Sequence, residues 1–131
     1  MEKLKNQLHQ NLGKLFYAVA MADKKIEEEE IAALKTDILQ RWYNLDSELN
    51  ELVLDNHQDI ITVFTQLHNI KAESDSCFLE FREFFNEHQN LFNTDLRKLI
   101  WDTAQDVASS FAKKNKSELI LLAKLKILLE T

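Results

Sequence analysis

Two sets of side chains in this chain could do chemistry. Asp23, Glu27, Glu28, Glu29 and Glu30 bring five carboxylates within eight residues. Carboxylate oxygens hold divalent cations such as calcium and magnesium, and Asp23, Glu27 and Glu30 are the candidate metal-binding residues. The second set is His57, His68, His88 and Cys77. Imidazole and thiolate suit zinc. His57 and His68 stand eleven residues apart, and so do Cys77 and His88, which on a helix is three turns and one shared face. The close paired spacings of zinc sites are missing, so these residues read first as cap or surface histidines and a small core cysteine. Whether the four converge is left open.

Other sites are excluded by spacing. Ile26 and Glu30 have the separation of the last two landmarks of a calcium-binding EF-hand loop, with Asp23 at an oxygen-ligand position. The earlier ligand positions fall on Val19 and Met21, which lack side-chain oxygens, and Lys24 stands where the loop needs glycine, so this is no EF-hand. Di-iron bundles need Glu-x-x-His pairs. The residues three before His57, His68 and His88 are Leu54, Thr65 and Phe85. The chain has no glycine-rich phosphate loop, no G-x-S-x-G and no H-E-x-x-H, the motifs of phosphate binding, serine hydrolysis and zinc proteolysis. It reads as a non-enzyme. Glu27–Glu30 also have a plain electrostatic role, since acids in a first turn complement the helix dipole by about 0.3–1 kcal/mol each.

The elements that must position these groups are helices. The chain has 131 residues, no proline and one glycine, Gly13, whereas sheet proteins need many glycine-bearing turns. Its length suits one domain, residues 1–131. One cysteine excludes an internal disulfide and fits a reducing compartment. The N-terminus carries no signal-peptide pattern, and no apolar run, Leu119–Ala123 among them, comes near the ~20 residues of a membrane span. The expectation is a cytoplasmic protein without membrane insertion. Net charge is −6: residues 1–94 hold 9 Lys/Arg against 17 Asp/Glu, while residues 95–131 hold 7 against 5. An acidic surface repels phosphate backbones, so no nucleic-acid partner is expected.

Apolar periodicity predicts the helices one by one. The first runs from Glu2 to Ala22, with Leu4, Leu8, Leu12, Leu15 and Val19 inward and Phe16 and Ala20 beside them. Gly13 inside it points to a close helix crossing. A second starts near Glu27 with Ile31, Leu34, Ile38 and Trp42, and residues 44–55 form a transition that includes Leu49, Leu52 and Val53. A third spans Asn56 to Glu73. Ser74 or Asp75 caps a fourth over residues 76–92, with Phe78, Phe81, Phe85 and Phe92 inward and Phe84 free for a partner. Asn93 or Thr94 caps a fifth over 95–112. The last, Ser117–Glu130, is apolar nearly all round (LILLAKLKILL), which suits the centre of the core better than a dimer seam.

Residues 19–34 align without gaps to residues 107–122. Val19 matches Val107, Ala20 Ala108, Lys25 Lys113, Glu30 Glu118 and Leu34 Leu122, with Ile31 against Leu119 conservative. Such a repeat would make two helix–turn–helix units packed about an approximate two-fold axis. The first copy, AVAMADKKIEEEEIAAL, resembles the A-x-A-D-G-x-I-x-x-x-E signature of the TerB-like, tellurite-resistance-associated helical family at Ala20, Ala22, Asp23, Ile26 and Glu30. Lys24 replaces the signature glycine. The second copy keeps Ala108 and Glu118, with Phe111 in place of the aspartate.

The resemblance implies a compact all-α bundle of six to seven helices. It also implies a non-enzymatic role in metal or tellurite stress, through an acidic face that binds metal ions or partner proteins. By that resemblance Asp23 and Glu30 become functional carboxylates, taking a divalent cation or a basic partner. A protein partner is expected, and the oligomeric state stays open between monomer and dimer. Three alternatives stand beside this reading. One is a binding module without a metal, using apolar surface at Trp42, Phe84, Trp101 and the outer face of the last helix. Another is a metal-site protein built on the histidine and cysteine set, and the third is an enzyme using the same set.

Overall fold

The computed structural model describes residues 2–22, 31–32, 36, 58–111 and 116–131. Among them the chain is all-helical, with no strand. Five α-helices follow in order: α1 (Glu2–Ala20), α2 (Gln58–Ile70), α3 (Ser74–Glu87), α4 (Thr94–Phe111) and α5 (Lys116–Leu129). A 3-10 turn (Gln89–Leu91) joins α3 to α4.

α1 is the central element, packed against α2, α3, α4 and α5. Its stripe of Leu8, Leu12, Leu15, Phe16 and Val19 is fully buried, and so are Tyr17, Ala18 and Ala20. Gly13 explains how α2 comes so near. A β-carbon there would lie 2.8 Å from the Ile60 carbonyl oxygen and 2.8 Å from Val63 Cβ. Real atoms do not approach that closely, so the crossing requires the one residue without a side chain.

The sequence expectation for α3 needs three corrections. It ends at Glu87 instead of continuing to residue 92; the 3-10 turn then carries Phe92 back into the core. Phe84 is not free for a partner, being buried against Phe92 with ring centroids 6.1 Å apart in an edge-to-face arrangement. Four phenylalanines on α3 plus Phe92 offer more ring surface than one stripe can hold, and the turn folds the surplus inward. Ser74 does not cap α3, because its hydroxyl donates to the carbonyl of Ala18 at 2.7 Å. The N-cap position belongs to Glu73, which makes no side-chain cap bond.

Asn93 caps α4 as its residue type predicts, its Oδ1 accepting from the Leu96 backbone N–H at 2.8 Å. Arg97 ties three segments together. Its Nε donates to Phe92 O and its Nη1 to Leu129 O, both at 2.7 Å, and the guanidinium lies over the Phe85 ring at 5.1 Å. Through it the last carbonyls of α5, which have no partner within their own helix, gain a charged donor.

α5 departs most from expectation. It is not central. Leu121, Leu122, Leu125, Leu128 and Leu129 are buried, while Leu119, Ile120 and Ile127 are 52%, 48% and 69% exposed. Among the residues aligned between 19–34 and 107–122, Val19, Val107, Ala20 and Ala108 are buried, whereas Ile31 is buried and its counterpart Leu119 stands in solvent. Lys25, Glu30 and Leu34 lie outside the described residues, as does Trp42.

Candidate functional site

The end of α1 is fixed by two polar contacts of opposite origin. Tyr17 donates its hydroxyl to Ala72 O at 2.7 Å, and Ser74 donates to Ala18 O at 2.7 Å. Together they fasten the last turn of α1 to the link between α2 and α3. Lys71 turns that link with a φ of 53°, a left-handed conformation uncommon outside glycine.

Beside this junction opens a cleft of about 550 Å³. Its apolar lining comes from Met21, Ala22, Ala72, Ile120 and Leu121; Lys71, Lys124, Glu73 and Asp75 supply charge around it. Ala22 lines the cleft, and the sequence runs from it directly into Asp23. Asp23, Glu27 and Glu30, the candidate cation ligands, lie outside the described residues, as do Glu28 and Glu29.

The histidine and cysteine set does not come together where it can be followed. Cys77 stands near the start of α3 and His88 just past its end. Eleven helical residues separate them by about 16 Å, far beyond shared coordination. His68 lies in the last turn of α2 and His57 falls outside the described residues. No group of three or more His, Cys, Asp or Glu among the described residues is placed to hold a metal ion. Cys77 is buried, and burial first, then the Glu80 carboxylate, pushes its thiol up to about 11, against the opposing Lys14. Such a thiol stays protonated and unreactive at neutral pH. Burial, and then Cys77, also raises the Tyr17 hydroxyl above its ordinary range.

Two groups escaped the sequence reading as candidate sites. His9 and Glu118 are completely buried. The signal for His9 was its place one residue past Leu8 and seven before Phe16, on the edge of the apolar stripe. Glu118 entered only as a repeat match to Glu30.

The outer face of α5 leaves apolar surface uncovered. Leu119, Ile120, Ala123 and Ile127 are exposed and fall within a sector of about 100° around the helix. Lys124 borders that sector on one side and Lys126 on the other. No described helix is long and apolar enough to cross a membrane.

No family model matches this chain, and no curated protein or solved structure matches it either. The likeness to TerB-like proteins rests on the residues quoted for it.

Proposed function

We propose that this protein is a non-enzymatic interaction module that works by binding a partner protein. The observation that carries the reading is the outer face of α5, where Leu119, Ile120 and Ile127 remain exposed after the helix has filled the core. A helix apolar on both sides is half covered by its own fold, and the other half has the character of a surface awaiting a partner.

The acidic stretch Asp23 and Glu27–Glu30 is a second binding surface in this reading, taking a divalent cation or a basic partner. Its support is the charge asymmetry of the chain and the resemblance to TerB-like proteins, which also suggests metal or tellurite stress as the setting.

One experiment separates the two surfaces. Wild type, the pair Ile120→Ser/Ile127→Ser and the pair Glu27→Gln/Glu30→Gln are used as affinity baits in the same extract. A partner held by the wild type and lost from the serine pair assigns binding to α5. Loss from the glutamine pair assigns it to the acidic stretch. Identical capture by all three baits would end the proposal.

A further inference from the structure

We infer that the outer face of α5 docks an acidic amphipathic helix of another protein, an inference that rests on the interaction reading above and adds the class of partner. Four observations lead there. The exposed stripe from Leu119 to Ile127 covers about 12 Å of helix, and its spacing, with Ile120, Ala123 and Ile127 at i, i+3 and i+7, is that of a helix-on-helix contact. The exposed charges of α5 itself are Lys116, Lys124 and Lys126 against the single acid Glu130, while the adjoining cleft adds Lys71 against Glu73 and Asp75. Carboxylates flanking a partner's apolar stripe would meet lysines on both borders.

The remaining chain has the opposite sign, with 17 acidic against 9 basic residues over positions 1–94. An acidic ligand is therefore turned away elsewhere and guided to this face. Finally, the stripe continues into the cleft. Ile120 and Lys124 belong to both, and Met21, Ala22 and Ala72 extend the apolar floor, giving one large partner side chain a recess to fill.

The same pattern argues against two other occupants. A second copy docked through this stripe would set lysines against lysines, a like-charge contact that specificity normally avoids. A lipid surface is disfavoured because the stripe carries no aromatic residue and the whole chain bears −6, which anionic headgroups repel.

The test uses the full chain and three synthetic helical peptides. They share one leucine stripe at i, i+3, i+4 and i+7 and differ in flanking residues: glutamate, lysine or glutamine. Fluorescence anisotropy should show the glutamate-flanked peptide binding at least about tenfold more tightly than the lysine-flanked one, a difference that shrinks at high salt. Ile120→Ser/Ile127→Ser should abolish binding while leaving the thermal melt unchanged. Lys124→Glu/Lys126→Glu should reverse the peptide preference.

Equal binding of all three peptides, lost in the serine pair, would overturn the acidic-partner inference and leave the interaction reading standing. Binding that persists in the serine pair would overturn the docking site. Recruitment to phosphatidylserine vesicles in preference to the peptide, or a dimer that the serine pair dissolves, would replace the occupant with lipid or a second copy and equally overturn it.

Discussion

α1 and α5 invert the relation between apolar content and burial. α1 carries His9, Asn11, Lys14 and a glycine, yet residues 15–20 are buried on every side. α5 has eight leucines and isoleucines in fourteen residues, KSELILLAKLKILL, yet leaves three of them in water. The difference is position. α1 is enclosed by four helices, whereas α5 rests chiefly on α1 and α4, and a helix covered from one side can bury only one side. Surplus apolar surface on the outer helix thus becomes a candidate for binding, while buried polar groups must find partners within the protein. Asn11 does so by donating to Gln7 O at 2.8 Å, and Thr103 on α4 by donating to Leu99 O at 2.7 Å.

Substitutions along this contrast should scale with enclosure. The largest loss is expected for Leu12→Ala in α1, about 3–4 kcal/mol of unfolding free energy in urea, since a fully buried leucine leaves a cavity with little room to collapse. A loss below about 1 kcal/mol would show that α1 is not the centre of the fold. Arg97→Met should follow at about 2 kcal/mol, because two carbonyl acceptors lose a charged donor. If α5 is held by its leucines alone, that change would be nearly silent.

Gly13→Ala sharpens the comparison through its sign. Helix propensity alone favours alanine by about 1 kcal/mol, but the contacts at the α2 crossing cost about 1–3 kcal/mol by overpacking. A net loss of about 1 kcal/mol is expected, and a rise in melting temperature would refute the close crossing. Smallest of all is Ile127→Ser on the outer face of α5, within about 0.5 kcal/mol of wild type.

Cys77 adds a pH test of enclosure. Its folded thiol titrates near 11 against an ordinary 9.0, so the protonated form is the one the fold favours. That contribution is whole below pH 9 and is lost as pH rises toward 11. Stability should decline across that window, and Cys77→Ala should lessen the decline. Tyr17, shifted in the same direction, adds to the decline. Alkylation of Cys77 at neutral pH should proceed only as fast as the protein opens.

Much of this was legible in the residues. The stripe of α1 predicted its buried face, Asn93 announced its cap, and Gly13 announced a crossing. Ser74 and Phe84 were misjudged for one reason. Local pattern assigned a cap to the first and a free surface to the second, but each met a partner from elsewhere: the carbonyl of Ala18 and the ring of Phe92. Among the candidate site residues, Cys77 and His88 could be ruled apart only once α3 was seen to run between them. Asp23, Glu27 and Glu30 remain candidates on sequence grounds.

By itself the sequence determined the helical class, the buried stripe of α1 and the uneven charge, because periodicity, turn chemistry and composition act within a few residues. Only the tertiary structure decided which helix is enclosed and which is exposed. That choice depends on how many neighbours a helix has in space. An all-round apolar sequence such as α5 fits either answer until the packing of the other helices fixes its place.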